Sequence, residues 1–179
     1  TQLYSTPEKS PITSWAYSIL GQIYVVLPLA LLGVWGYKSD YQLFMNTEYL
    51  LMALFVFVWT NDTGAYIVGC TLGKHRLFER ISPKKSWEGF FGGLAFCIIL
   101  ASLANYIIPG MLSTAQWIGM GILTSIFSTW GDLCESLLKR TAGVKDSGKI
   151  LPGHGGILDR FDSELIASPV IFIYLTFVL

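Results

Sequence analysis

Long apolar runs separated by shorter polar segments dominate the chain. A helix needs about 20 mostly apolar residues to cross a bilayer, and five segments meet or nearly meet this requirement, over about 15–37, 49–72, 90–108, 116–135 and 164–179. The pattern predicts an all-α, polytopic membrane bundle of about five transmembrane helices. We expect residues 1–179 to form a single transmembrane domain with polar loops on one face.

The charged residues lie almost entirely on one side of this arrangement. Five spans place the N-terminus and the loops 73–89 and 136–163 together, and these segments hold every Lys and Arg of the chain except Lys38. Cytoplasmic loops of membrane proteins carry the excess of Lys and Arg. We therefore expect an integral protein of the cell inner membrane whose polar loops face the cytoplasm.

Composition supports this assignment. Hydrophobic residues make up 53% of the chain and charged residues 13%, and the mean hydropathy is +0.53. Soluble domains carry about 25% charged residues, so the composition excludes an ordinary soluble domain. The formal net charge is zero and indicates no partner, but the one-sided placement of the charges locates any chemistry in the polar loops.

The densest polar stretch, residues 131–163, begins where the fourth predicted span ends. Asp132 and Ser136 are four residues apart, and Lys139 and Arg140 follow Ser136 by three and four, so the four residues lie near one helical stripe. An acid, a hydroxyl and two cations on one stripe suit a metal–phosphate site. The alternative is an ordinary interfacial helix whose Lys and Arg side chains extend to water.

The second half of this stretch contains a glycine-rich loop, 152–156, that leads into a predicted helix. Glycine permits close backbone approach, and the amides at a helix N-terminus favour anions. Asp159 and Asp162 are three residues apart, face the same way and can hold Mg²⁺. Two alternatives stay open: Asp159 caps the helix with Arg160 as its surface partner, and His154 is a hydrogen-bonded loop residue.

Two polar residues, Asn61 and Asp62, interrupt the second predicted span. An ionised Asp in hydrocarbon costs at least about 2.5 kcal/mol, so Asp62 should face a polar cavity or pair with a cation. The alternative is a hydrogen bond between helices, which the neighbouring small residues Thr63, Gly64 and Ala65 would assist.

The loop 81–89 precedes the third predicted span and contains a lysine pair. Ser82 followed by Pro83 predicts a helix N-cap and first helical residue, which would place Lys84 and Lys85 at a helix start. The helix dipole disfavours cations there unless an anion binds between them, and a phosphate-bearing ligand is the natural candidate. The alternative is attraction of the pair to anionic lipid headgroups.

Three sequence runs together resemble the phosphatidate cytidylyltransferase, or CDP-diacylglycerol synthase, family. The longest, over 136–162, reads S-x2-K-R-x4-K-D-x-G-x2-L-P-x-H-G-G-x2-D-R-x-D, and the others are D-T-G-A-Y-x2-G over 62–69 and S-P-K-K-S-W-E-G over 82–89. Family members are usually longer, and this chain begins at Thr1 rather than Met. We therefore expect a catalytic domain that lacks the N-terminal spans of the full-length enzyme.

The resemblance implies transfer of the cytidylyl group of CTP to phosphatidate, giving CDP-diacylglycerol and pyrophosphate in phospholipid biosynthesis. It implies Mg²⁺, a second cation such as K⁺, a homodimer, and CTP, phosphatidate and membrane lipid as partners, with no nucleic acid. The expected metal ligands, also catalytic together with Lys139, are Asp132, Asp159 and Asp162. The expected substrate- and phosphate-binding residues are Ser136, Arg140, Lys84, Lys85, His154, Gly155, Gly156, Arg160 and Asp62.

Three other functions stay open at this point. One is a related CTP-dependent transferase that acts on an isoprenoid lipid. A second is a CDP-alcohol phosphotransferase, whose usual pattern is Asp-x2-Asp-Gly-x2-Ala-Arg with two later aspartates. It is disfavoured because Asp162 is followed by Ser163 and Glu164. The third is an ion transporter using Asp62 and Asp132, which explains neither the glycine-rich loop nor the one-sided lysines.

Overall fold

The computed structural model describes residues 11–36, 47–148, 150 and 155–179. Its helices are α1 (Pro11–Gly21), α2 (Leu27–Gly36), α3 (Thr47–Leu72), α4 (Trp87–Ile107), α5 (Thr114–Thr141) and α6 (Leu158–Val178). A π-helical segment, Gln22–Val26, joins α1 to α2. Strands β1 (Arg76–Phe78) and β2 (Ser82–Ser86) form an antiparallel hairpin between α3 and α4.

Within the described residues, four segments are helical, long and apolar enough to cross a membrane: 12–34, 48–72, 87–107 and 158–178. They confirm the predicted all-α, polytopic membrane fold. The predicted span 116–135 lies in α5, which is not apolar enough to join the four. Helix α5 packs against α3, α4 and α6. The face that it buries there carries the polar side chains Thr124, Ser125, Ser128, Thr129 and Glu135.

The hydrophobic core lies where α3, α4, α5 and α6 meet. Its buried members include Leu54, Phe57, Ala101, Trp117 and Ile171. Helix α4 comes close to α3 because glycine faces the contact: a Cβ atom on Gly93 would lie 2.7 Å from the backbone oxygen of Asn61. Close packing through small residues is typical of helices that associate inside membranes.

A buried polar network fixes α3 against α5 through Asn61. Its Oδ1 accepts a hydrogen bond from Ser125 Oγ at 2.7 Å, and its Nδ2 donates to Ser128 Oγ at 3.2 Å and to Thr129 Oγ1 at 3.4 Å. Leaving one of these buried groups without a partner would cost about 1–3 kcal/mol. For Asn61 the alternative interpretation, a hydrogen bond between helices, is therefore the one observed, and the network determines where Asp62 points.

The predicted helix start at Ser82 and Pro83 is wrong, because both residues belong to strand β2, which pairs with β1. The N-cap of α4 is instead Ser86, whose Oγ accepts a hydrogen bond from the backbone N–H of Gly89 at 3.1 Å. Local Ser-Pro chemistry favours a helix start, but pairing with a strand several residues away satisfies the backbone better. The lysine pair therefore lies on a strand and not at a helix start.

Glu88 anchors the base of the hairpin to the first turn of α4. Its carboxylate accepts hydrogen bonds from the backbone N–H groups of Lys74 and His75, each at 3.2 Å, and lies 2.6 Å from Nδ1 of His75. Three contacts to one carboxylate fix the entry of the hairpin. The position of Lys84 and Lys85 is therefore set by the hairpin together with α4.

Helices α5 and α6 are in close backbone contact at Gly131. A Cβ atom there would lie 2.5 Å from the backbone oxygen of Asp162 and 2.9 Å from that of Ser163. Real Cβ atoms essentially never lie so close to backbone atoms. Glycine at this position therefore brings the segment that carries Asp132 directly against the turn that carries Asp162.

Candidate active site

A polar cavity of about 270 Å³ opens between α3, the hairpin, the start of α4 and α5. Asp62 contributes to its wall from α3, Lys84 and Lys85 from β2, and Asp132 from α5. Asp62 and the lysine pair belong to two of the sequence runs identified above, and Asp132 lies four residues before the third. The fold therefore gathers acidic and basic groups that lie up to 70 residues apart in the chain.

The central contact of the cavity is an ion pair between Lys85 and Asp132. Nζ of Lys85 lies 2.5 Å from Oδ2 of Asp132 and donates to the backbone oxygen of Thr129 at 3.5 Å. The two side chains are 25% and 34% exposed. Ser136 Oγ donates to the other carboxylate oxygen of Asp132 at 3.2 Å, as their spacing predicts. A carboxylate accepts about four hydrogen bonds, so Asp132 retains capacity for a further ligand.

Three carboxylates interact electrostatically around this pair. The charges of Asp132 and Asp162 both act on Asp62, and the charge of Asp132 acts on Asp162. Lys85 attracts both Asp62 and Asp162, and Lys139 also attracts Asp162. Negative groups that repel one another favour the binding of a cation between them.

A second cluster forms around Asp159, in the first turn of α6. Its carboxylate accepts hydrogen bonds from Nζ of Lys139 at 2.8 Å, from the backbone N–H and Oγ of Ser147, each at 2.9 Å, and from the backbone N–H of Gly156 at 2.7 Å. Its side chain is only 7% exposed. The carboxylate of Asp159 therefore ties α5, the loop after it and the start of α6 to one another.

Lys139 links this cluster to a buried glutamate. Its Nζ lies 2.5 Å from Oε2 of Glu135, one helical turn earlier, whose side chain is 1% exposed. Burial disfavours the charged form of Lys139, but its hydrogen bonds to Asp159 and Glu135 outweigh that effect and raise the pKa of Lys139. Lys139 thus stays charged at neutral pH. Its ammonium group reaches α6 at Asp159, whereas Lys85 is the cation that pairs with Asp132.

The structure therefore divides the predicted site residues into two sets. The cavity set consists of Asp62, Lys84, Lys85 and Asp132, with Ser136 bound to Asp132. The loop set consists of Lys139, Gly155, Gly156 and Asp159. Asp162 interacts with charges of both sets. Arg140 and Arg160 are exposed, and His154 lies outside the described residues.

Gly155 shows why the loop set requires glycine. Its φ is +82°, a conformation that L side chains rarely adopt. A Cβ atom there would also lie 2.7 Å from Oδ2 of Asp159. The glycine therefore lets the backbone pass over the carboxylate that organises the loop.

Mg²⁺ fits the cavity set better than the loop set. Over residues 11–36, 47–148, 150 and 155–179, no three His, Cys, Asp or Glu side chains are grouped as a ready-made metal site. Mg²⁺ does not require such a group, because it keeps several waters and uses one or two carboxylates plus substrate phosphates. Asp132 and Asp162, with Asp62 nearby, supply such hard oxygen donors. The three-aspartate ligand set stays a prediction, and Asp159, whose oxygens already bind four donors, is its least favoured member.

The sequence did not identify two residues that contact members of the loop set, Glu135 beside Lys139 and Ser147 beside Asp159. The spacing of four residues between Glu135 and Lys139 is a signal for an ion pair on a helix and could have identified Glu135. No local signal points to Ser147, because its partner Asp159 lies 12 residues further along the chain.

Comparison with known proteins identifies a family and several relatives. The model of the cytidylyltransferase family matches residues 2–178. Proteins named phosphatidate cytidylyltransferase are 41% identical over 160 residues in Staphylococcus aureus (strain COL) and 41% identical over 159 residues in Staphylococcus haemolyticus (strain JCSC1435). Each alignment covers 89% of this chain and 61% of the relative. The chain thus spans about three fifths of the length of the curated relatives it matches.

Proposed function

The chain belongs to the cytidylyltransferase family, and from this premise we propose that it transfers the cytidylyl group of CTP to phosphatidate, giving CDP-diacylglycerol and pyrophosphate in phospholipid biosynthesis. The names of its relatives support this reaction. The structural observation that carries the proposal is the polar cavity, in which Lys84 and Lys85 lie opposite Asp62 and Asp132. Such a cavity can hold phosphate groups together with a cation.

In the proposed reaction, a phosphate oxygen of phosphatidate attacks the α-phosphorus of CTP. A new P–O bond forms to the lipid phosphate, and the bond from the α-phosphorus to the oxygen that bridges to the β-phosphorus breaks, so pyrophosphate leaves with that electron pair. The lipid phosphate is already an anion, so the reaction requires no strong base. The main barrier is the repulsion between two polyanions.

The cavity residues address this repulsion. Lys84 and Lys85 supply positive charge where the phosphates would lie, and fixed charges that are oriented in advance stabilise a transition state effectively. Ser136 and Lys85 hold the Asp132 carboxylate in one orientation. The Asp159 cluster supports the adjacent loop and the start of α6.

Mg²⁺ belongs to the same proposal. When bound, it would neutralise phosphate charge and align the two substrates. Asp132 and Asp162 are the side chains that would hold it, with Asp62 beside them. We extend the proposal to a second cation such as K⁺ and to a homodimer, both implied by the family resemblance.

We also propose that the chain lies in the cell inner membrane with the cavity facing the cytoplasm. The hairpin next to the cavity contributes Arg76, Lys84 and Lys85, and Lys139 and Arg140 lie in the last turn of α5. A concentration of Lys and Arg next to spans supports a cytoplasmic location. CTP would then enter from the cytoplasm and the lipid from the bilayer.

The direct test is an assay of the purified protein with CTP, phosphatidate and Mg²⁺, in which pyrophosphate release and the lipid product are both measured. We expect equal amounts of pyrophosphate and CDP-diacylglycerol. Turnover with an isoprenoid lipid acceptor but not with phosphatidate would establish the alternative transferase. Ion flux in proteoliposomes without CTP turnover would establish the transporter and exclude the proposed reaction.

A further inference from the structure

An apolar cavity of about 290 Å³ lies directly beside the polar cavity. Leu77, Phe90 and Thr129 line both cavities. Two compartments of opposite polarity therefore share a wall made by the hairpin, α4 and α5. The proposed reaction uses only the polar compartment, so the apolar one has no assigned role.

The remaining wall of the apolar cavity consists mainly of large apolar side chains. The hairpin contributes Phe78 and Ile81, and α5 contributes Trp130, Leu133 and Leu137. Phe78 and Trp130 are each more than half exposed, and Leu137 is also exposed. The cavity is therefore accessible from the outer surface of the helix bundle, where a membrane protein meets lipid.

We propose that this cavity receives one hydrocarbon chain of the lipid substrate while the lipid phosphate lies in the polar cavity at Lys84 and Lys85. The inference rests on the proposed function, because it takes a lipid phosphate as the substrate. Nζ of Lys85 donates to the backbone oxygen of Thr129, which belongs to the shared wall. The cation and the apolar lining thus meet where the headgroup and the chain of such a lipid are joined.

The cytosine base is the other substrate group that an aromatic-lined cavity could accept, but the lining favours hydrocarbon. Among the described residues that line the cavity, none carries a charged or amide side chain. The amino group and ring carbonyl of cytosine need hydrogen-bond partners, and leaving them unpaired on burial is unfavourable. A hydrocarbon chain requires only apolar contact and fits this lining without unpaired groups.

For a lipid that comes from a bilayer, the cavity affects where the hydrocarbon chain lies more than how tightly the lipid binds, because bilayer lipid is as apolar as the lining. A short-chain phosphatidate dissolved in water behaves differently, since each CH₂ group that enters the cavity leaves water. Each such group should lower KM about fourfold until the cavity is full. The dependence of KM on chain length, measured with monomeric short-chain phosphatidates, therefore reports on the cavity.

The test is to fill the cavity and measure this dependence. Two substitutions on α5 fill the cavity: Leu137→Trp at its exposed rim and Cys134→Phe one helical turn earlier. The control, Ile99→Trp on α4, adds similar bulk at an exposed position outside both cavities. We expect KM for phosphatidate to fall roughly 15-fold from four to six carbons per chain in the unmodified protein and in Ile99→Trp. The fall should be less than about threefold in both filled variants, with KM for CTP unchanged.

Chain-length dependence that is unchanged in both filled variants would overturn the inference. A raised KM for CTP with unchanged lipid dependence would instead assign the cavity to the base. Photolabelling tests the inference without turnover: a phosphatidate with a diazirine on its acyl chain should label residues 130–137 in the unmodified protein and in Ile99→Trp, but not in Leu137→Trp. Absence of CDP-diacylglycerol from every phosphatidate would refute the proposed function, whereas normal turnover with labelling elsewhere would refute only this inference.

Discussion

Two lysine–aspartate pairs stand close together in this structure and differ in how fully their carboxylates are used. Asp132 binds Lys85 and Ser136, lies on the wall of the polar cavity and is 34% exposed. Asp159 binds Lys139, two groups of Ser147 and the backbone of Gly156, and is 7% exposed. One carboxylate retains capacity for a ligand, whereas the other is occupied by the protein itself.

The difference shows that the same pair of residue types can be left open to a ligand in one place and committed to architecture in another. The number of hydrogen bonds that a carboxylate already accepts decides how it can be used, because an acceptor with no remaining lone pair must give up a protein contact to bind a metal or substrate. We therefore expect substitutions in the two pairs to separate turnover from stability.

The largest expected effect is on turnover, from Asp132→Asn. The substitution keeps the shape of the side chain but removes the charge that holds Lys85 and would hold a cation. We expect kcat for pyrophosphate release to fall at least about 100-fold, with little change in the thermal midpoint because the site is partly exposed. A kcat within fivefold of the unmodified protein would break the comparison, since Asp132 would then have no role in the reaction.

The second effect is on stability, from Asp159→Asn. Removal of this charge leaves Lys139 with Glu135 alone and weakens four hydrogen bonds, so we expect the free energy of unfolding to fall by about 3 kcal/mol. Denaturant unfolding and protease cleavage within residues 142–156 measure this change. Asp146→Asn, on the same loop, is the matched control and should resemble the unmodified protein. Loss of turnover with unchanged stability would show instead that Asp159 is a metal ligand.

The smallest effects come from the two serines, and they sharpen the comparison. Ser136→Ala removes the donor that orients Asp132, and we expect kcat to fall about threefold to tenfold without a change in unfolding. Ser147→Ala removes one donor to Asp159, and we expect a loss of about 1 kcal/mol in stability with unchanged kcat. If the two variants exchanged these results, the assignment of the two aspartates would have to be exchanged as well.

Much of the fold could be predicted because apolar runs long enough to span a bilayer have few alternatives. The prediction failed where contacts with other elements override local patterns. Ser82 and Pro83 carry a local helix-start signal, yet pairing with β1 makes them a strand. Among the described residues, the span predicted over 116–135 is not one of the four helices apolar enough to cross a membrane, because α5 directs polar residues toward the other helices.

The candidate site was predictable in membership but not in arrangement. Asp62 stood out from the sequence because a charge within an apolar run is unfavourable unless it is used. Lys85 stood out as part of the lysine pair, and Asp132 through the helical stripe that it shares with Ser136. The separation of Asp159 from Asp132 could not be predicted, because it depends on hydrogen bonds from Ser147 and Gly156 that exist only once the loop has folded.

The contact at Gly131 sets how far apart two of the acidic groups can be. Even a single methyl group there would press on the carbonyl oxygen of Asp162, and α5 would have to tilt outward to relieve the overlap. Such a tilt would widen the gap between Asp132 and Asp162 without altering the charge of either. The lack of a side chain at Gly131 therefore helps to set the distance between the two acids. A substitution that only adds bulk at this position would change that distance.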